Sequence, residues 1–324
     1  MIIWEKFRKN IIDNKLVVSG DKILLAVSGG ADSMVMASLF SMLTKSLNIE
    51  TIVVNFNHNL RKESVKEAKT VEKFISSLGI KCVLKTLNTK EYAKKNNISI
   101  ETAGRQLRYS GLEEVAKEYK CNKIATAHNM NDTAETMIMW LLRGTGTEGL
   151  TGIPMIRKVN KNLSIIRPLL PISRDLIDDY AKRKKIKFCT DKSNFKCDYT
   201  RNKIRLKLIP QLKEINPSVI EHLYNLSCIV KDESTYFKNK ISLFISKFVK
   251  TTKNTTTVNL KAFYKQDKIL QYKILKEILP DKKRAIQINN IFNWLKDNKN
   301  KCYIISKQWI VKKNIKTVKF IKSN

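Results

Sequence analysis

Acidic residues are scarce. The 324 residues hold 29 Asp and Glu against 62 Lys and Arg, a formal charge of +33. So one-sided a surface repels itself and attracts polyanions, which makes nucleic acid the expected partner class. Histidine is rarer still: His58, His128 and His222 are too few and too dispersed for a His-rich metal site. The six cysteines, Cys82, Cys121, Cys189, Cys197, Cys228 and Cys302, include no Cys-x-x-Cys. That argues against zinc and disulfide frameworks and fits a reducing compartment. No uncharged apolar run is long enough to span a membrane, and Met1 to Ile12 is broken by Glu5, Lys6, Arg8 and Lys9. A soluble, cytoplasmic protein without a membrane partner is expected. Also missing are the lysine and spacing of a Walker P-loop, any Gly-x-Ser-x-Gly nucleophile elbow, and any internal repeat.

The chain is organised around Lys22 to Ser33. Lys22-Ile23-Leu24-Leu25-Ala26-Val27 runs apolar without alternation, as a strand buried on both faces does. It ends in Ser28-Gly29-Gly30-Ala31-Asp32-Ser33, and a buried helix over 34–43 follows. Two glycines allow a tight turn and close approach to an anion, while Ser28, Ser33 and the opening helix amides offer donors. Phosphate suits this loop. An ordinary strand-to-helix turn with Ser33 as cap and Asp32 on the helix dipole uses the same residues.

Length allows about two domains. Glu50 to Phe56 reads as a second strand, ending at Asn57-His58-Asn59-Leu60-Arg61, where an open α/β sheet places ligand loops. A helix at 64–78 and a strand at 81–87 follow. A helical stretch over 91–120, interrupted near Asn96-Asn97, carries Arg105 and Arg108 on one face, where both could address phosphate. Lys123 to Ala127 is a fourth strand. After His128, Asn129-Met130-Asn131-Asp132-Thr133-Ala134-Glu135 opens a helix to Arg143. Asp132 and Glu135 share a face, and the pair reads equally as chemistry or as a capping box with Asp132 at the cap. Gly144-Thr145-Gly146-Thr147-Glu148-Gly149 matches G-x-G-x-x-G, but it follows a helix and precedes loop, so the dinucleotide reading is rejected. A substrate-closing segment or a helix-ending loop remains.

Ile165 to Leu170 is a short extended run, followed by a helix over 176–185. Tyr199-Thr200-Arg201-Asn202-Lys203-Ile204-Arg205 interleaves cations with an aromatic residue and suits RNA or nucleotide phosphate, or a solvated loop. A helical connector spans 218–247. Thr251 to Thr257 reads as a polar linker, then come basic helices over 260–278 and 285–296 and a β-ribbon over 302–321. The expected fold class is α/β, with a parallel Rossmann-like sheet carrying helices on both faces, a helical connector and a small α+β C-terminal domain. The divisions expected are 1–217, 218–250 and 251–324.

The loop Ser28 to Ser33 resembles the PP-loop of N-type ATP pyrophosphatases. Together with Asn55 to Arg61, Glu101 to Tyr109, Thr126 to Gly144, Arg167 to Arg174 and Asp191 to Arg205, in that order, it resembles the tRNA(Ile)-lysidine synthase family. The resemblance covers 15–217 and is weaker beyond. It implies ATP-dependent adenylation of the C2 oxygen of the wobble cytidine in a CAU-anticodon tRNA(Ile), then attack by the side-chain amine of free lysine and release of AMP. By resemblance, Ser28, Gly29, Gly30, Ala31, Asp32 and Ser33 hold ATP with Mg²⁺, beside His58 and Arg105. Asp32, Asp132, Glu135 and Arg108 serve the chemistry, Asp132 and Glu135 meet the lysine, and Arg143, Arg201 and Arg205 meet the tRNA. The metal ligands are left unassigned, and an oligomer is compatible with the sequence. Asn131 stands where the family pattern has a first aspartate.

One chemical tension follows. A lysine amine of pKa ~10.4 is about one part in 2,500 neutral at pH 7, a penalty of roughly 4.6 kcal/mol. A carboxylate deepens it unless it also accepts the proton. The alternatives are a PP-loop tRNA thiolase, for which only Cys189 and Cys197 lie close in sequence, and a non-catalytic ATP- or RNA-binding module.

Overall fold

The structure, a computed structural model, describes residues 2–57, 64–189, 200–279, 285–297, 301–306 and 308–322. Two compact units divide between Val230 and Lys231. The first runs α1 (Ile2–Asp13), β1 (Lys22–Ala26), α2 (Ala31–Thr44), β2 (Glu50–Asn57), α3 (Ser64–Ser77), β3 (Lys81–Thr86), α4 (Thr89–Asn96), α5 (Ile100–Glu118), β4 (Lys123–Ala125) and α6 (Met130–Leu142). It continues through a 3₁₀ turn (Thr147–Thr151), β5 (Ile156–Lys158), β6 (Ser164–Ile166), α7 (Arg174–Arg183), α8 (Thr200–Lys203), a π-helical turn (Ile204–Leu208) and α9 (Ile209–Ile215), and α10 (Val219–Phe248) spans the division.

Strand β1 lacks alternation because both its faces are covered. Ile23 and Leu25 enter one core with Phe7, Phe40, Ile75 and Ile177, whereas Leu24 enters the other with Leu112 and Val115. Helices α1, α2, α3 and α7 thus lie on one face and α5 on the opposite one. Each of these wholly buried aliphatic side chains contributes on the order of 1.5–3 kcal/mol. The sheet order is β3-β2-β1-β4-β6-β5, parallel except for the edge strand β5. The direction of progression reverses between β1 and β4. At such a switch point the loops leaving two neighbouring strands part and open a crevice at their carboxyl ends.

The break between α4 and α5 falls at Asn97, whose left-handed φ of 51° an asparagine tolerates better than most residues. Gly144, at φ 72°, ends α6, so the G-x-G-x-x-G stretch begins as a helix stop. Three features differ from the sequence expectation. The edge strand β5 goes unread because three exposed residues carry no periodicity. The loop-like stretch after Thr200 is a helix, widened to a π turn just ahead of Pro210, which has no N–H for the regular ladder. Lastly, the supposed polar linker is a hairpin, β7 (Val249–Thr251) with β8 (Thr255–Asn259). Its threonines are good strand formers, and Val258, which follows them, is buried.

The second unit adds α11 (Leu260–Tyr264), α12 (Lys268–Ile278), α13 (Ala285–Lys296), β9 (Cys302–Ser306), β10 (Trp309–Lys313) and β11 (Thr317–Lys322). Its sheet runs β7-β8-β11-β10-β9, all antiparallel. The residues expected to form a separate connector are shared between the units: Ile220 packs with the first, Ile241 and Phe244 with the second.

Candidate active site

The crevice at the switch point is a cleft of about 500 Å³, within the range of small-molecule sites. Its floor is the glycine loop. Gly29 holds φ 90°, and a Cβ there would stand 3.1 Å from Val71 Cγ2. Gly29→Ala is therefore expected to lose about 1–2 kcal/mol of stability, which thermal unfolding would register. Gly30 is the N-cap of α2 and provides no side-chain cap. The first amides of a long, apolar helix thus open on the cleft, favourable to negative charge. Ser33 does not cap the helix. Its hydroxyl accepts from the Ser28 amide at 3.1 Å and donates to the Gly30 carbonyl at 2.8 Å, locking the loop from within. Asn55, buried on β2, steadies the base of the loop by donating to the Val27 carbonyl.

Asp32 leans from the first turn of α2 into this cleft. One carboxylate oxygen meets Arg174 Nη1 at 2.5 Å and the other accepts from Asn129 Nδ2 at 3.0 Å. Burial pushes its pKa up to about 6; Arg174 pulls downward, and the neighbouring Asp132 charge adds to the rise. Arg174 also grips Asp178 at 3.0 and 3.1 Å. Its backbone amide donates to Asn131 Oδ1, which gives Asn131 a place in docking α7.

Helix α6 opens at Asn129, as the sequence suggests, and Asn129 rather than Asp132 is its cap. The capping box pairs Asn129 with Asp132, so Glu135 is free of capping duty in the second turn. Asp132 uses Oδ2 for the Asn129 amide, while its Oδ1 accepts from Arg201 at 2.8 Å and lies 3.4 Å from Arg205 Nη2. Glu135 is 1% exposed, and both its oxygens are held: Oε2 by Arg201 Nε at 2.7 Å, Oε1 by Arg205 Nε at 2.6 Å. Burial works against the Arg205 charge, but Glu135 and Asp132 outweigh it and raise its pKa. Two acids at i, i+3 thus clasp two arginines at i, i+4.

The opposite wall is cationic. Arg105 and Arg108 line the cleft, and neither makes an ion pair among the described residues. Burial lowers the Arg108 pKa, with Arg105 adding to the effect. Tyr109 takes Arg157 at 4.8 Å and Arg105 at 5.4 Å over its ring. His128 hydrogen-bonds Thr126 through Nδ1 at 3.0 Å. Burial drives its pKa to about 4 against the pull of Asp132, with Arg167, Arg201 and Arg105 reinforcing the fall. It is uncharged at neutral pH.

The cleft therefore gathers Ser28, Gly30, Asp32, Ser33, Arg105, Arg108, Asp132 and Arg205. Arg201 and Glu135 join through the clasp, and Gly29 and Ala31 belong to the loop. Arg143 stays apart, exposed at the far end of α6 beside Trp140. His58 lies outside the described residues, as does Cys197. Sequence reasoning missed Asn129, Arg174 and His128 as site residues. For Asn129 a signal existed, since asparagine three residues before Asp132 is a capping-box spacing.

A glycine loop at the mouth of a switch-point helix, with an arginine wall facing it, defines a PP-loop protein, and the family model described as a PP-loop domain matches residues 3–212. The tRNA(Ile)-lysidine synthase of Petrotoga mobilis is 39% identical over 226 residues, which cover 70% of this chain and 71% of that protein. That of Thermosipho africanus is 42% identical over 240 residues, covering 72% and 55% respectively. The chain belongs to the tRNA(Ile)-lysidine synthase family. It spans about half the length of several curated relatives it matches. Among solved structures, the U34-tRNA thiolase NcsA from Methanococcus maripaludis with its 4Fe-4S cluster matches with a TM-score of 0.59 and 22% identity, over 70% of this chain and 78% of that one. Likeness at that identity concerns the fold alone. Among the described residues no helix is long and apolar enough to cross a membrane.

Proposed function

We propose that the chain uses ATP to adenylate the C2 oxygen of the wobble cytidine in a CAU-anticodon tRNA(Ile), and that the side-chain amine of free lysine then attacks C2. In the first step the cytidine oxygen attacks the α-phosphorus and pyrophosphate departs. In the second the new C–N bond forms, the C2–O bond breaks, AMP leaves and the amine gives up a proton. The product nucleoside reads AUA in place of AUG. The observation that carries this reading is the single cleft in which an uncapped helix mouth faces Arg105 and Arg108, in a chain 39% identical to a lysidine synthase across most of its length.

The loop amides and the arginine wall would spread the charge that builds on departing pyrophosphate. Asp32 suits Mg²⁺, because a carboxylate raised by burial gains from a cation and magnesium commonly takes one or two carboxylates with substrate phosphates. The ion would supply positive charge to the leaving group. Among the described residues no cluster of three or more ligating side chains exists.

The acids meant for lysine and the arginines meant for tRNA hold each other in this structure. Both readings fit if the partners exchange. Bound RNA draws Arg201 and Arg205 onto its phosphates, and the freed acids take the lysine ammonium and accept its proton. The second unit, with 23 lysines and arginines against six acids, would add affinity for the tRNA. The thiolase reading finds less support: burial and Glu67 push the Cys189 thiol pKa up, away from the thiolate that sulfur chemistry needs.

Incubating the full chain with ATP, lysine and a CAU-anticodon tRNA transcript, then digesting the RNA for mass analysis, tests the proposal. A lysine-bearing cytidine at the wobble position is the expected product. Unaltered cytidine would overturn the reading, as would modification that proceeds without lysine.

A further inference from the structure

The sheet of the second unit has two unlike faces. Its core lies wholly on one, where Val258, Val311, Val318 and Phe320 pack with Phe263, Ile274 and Ile291. The other presents Ile304 and Ile310, Lys312 and Lys319, and Thr257. Register sets Lys312 opposite Lys319 across β10 and β11, and both are exposed. In the neighbouring row Ile310 stands opposite Ile321 on one side and Ile304 on the other, and Ile304 is 70% exposed. Like charges directly opposite each other weaken a sheet. Among the described residues neither lysine has an ion-pair partner, and 249–259 and 301–322 contain nine lysines and no aspartate or glutamate.

We propose that this outer face is an RNA-docking surface. Lys312 and Lys319 take two backbone phosphates, and the adjoining isoleucine row packs against ribose and exposed base. A polyanion would remove the cross-strand repulsion that the fold otherwise carries. The choice of RNA among polyanions rests on the function proposed above. The surface itself rests on register and charge.

Lys312→Glu with Lys319→Glu tests it, since that variant keeps a like-charged pair and reverses only its sign. Filter retention of a CAU-anticodon tRNA transcript and of a second, unrelated tRNA is measured without ATP or lysine, so the fate of the catalytic reading does not enter. Both RNAs are expected to bind at least about tenfold more weakly at 0.1 M salt, and the salt slope to shrink by about 1.4–1.8, the share of two phosphates. Lys312→Gln with Lys319→Gln should give a smaller loss in the same direction and serves if the double reversal fails to fold. The control pair Lys265→Glu and Lys268→Glu, exposed around the start of α12, should change binding less than threefold. Equal losses from both reversed pairs would overturn the surface, as would unchanged binding. So would a variant that loses retention on phosphatidylserine vesicles while RNA affinity stays at the wild-type level, the mark of a lipid surface.

Discussion

Asparagine at position 32 is expected to yield a protein that is more stable than the parent and inert in adenylation. The folded state holds the Asp32 proton more tightly than the unfolded chain does, with a carboxyl at about 6 against the ordinary 3.8, because burial penalises the charge. The ionised carboxylate therefore costs stability in full above about pH 6, and the cost fades as pH falls through 6 and is gone only below the ordinary 3.8, where folded and unfolded states are both protonated. Replacing it by the neutral amide is worth about 3 kcal/mol at pH 7, and the advantage should vanish below the ordinary 3.8. Arg174 retains Asp178 as partner in the variant. Pyrophosphate release should nevertheless drop at least about a hundredfold, the scale of losing one electrostatic contact at a charged transition state. The parent's rate should likewise decline below about pH 6 as Asp32 takes up its proton. Denaturant titrations at pH 7 and pH 3, with a pyrophosphate assay, separate the effects. A variant of ordinary activity would end the assignment of Asp32 to the phosphate site, and one of unchanged stability at pH 7 would contradict the burial cost.

The second large effect concerns the arginine clasp. Arg201→Met with Arg205→Met leaves Glu135, at 1% exposure, without either of its partners. Stripping a buried charge of its counter-ions costs about 3–5 kcal/mol, a large share of the 5–15 kcal/mol that holds a typical domain together. Adding Glu135→Gln to the pair should restore most of the loss. The exchange proposed for catalysis makes a further demand. Free lysine should stabilise the double variant, whose acids are uncovered, while leaving the parent's melting temperature nearly unchanged without RNA. If lysine stabilises neither protein, the acids are a structural clasp and the amine is bound elsewhere.

Much of the fold was legible because burial on two faces writes itself as apolar runs without alternation, as in 23–27 and 52–54, with long apolar or amphipathic stretches between. The turn into the first sheet-covering helix was legible for a related reason: a double glycine between such a strand and such a helix leaves few other shapes. What escaped was set by distance in space. Arg174 is 142 residues from Asp32, and the Arg201 and Arg205 guanidiniums reach acids 66 to 73 residues away. No local pattern announces such pairs. The helix at 200–215 escaped because Pro210 and alternating cations read as loop, whereas a π turn absorbs the proline.

Asn129 spends every polar group it has. Its amide donates to Asp132, its side-chain oxygen accepts from the Asp132 amide, its side-chain nitrogen donates to Asp32, and its carbonyl accepts from Thr133. Aspartate there would crowd a third negative charge beside Asp32 and Asp132, serine would fall short of Asp32, and alanine would unfasten both neighbours. Across descendants of this chain, the Asp32 side and the Asp132 side of the cleft are therefore bound to change in step, with this asparagine as the rivet that neither can shed alone.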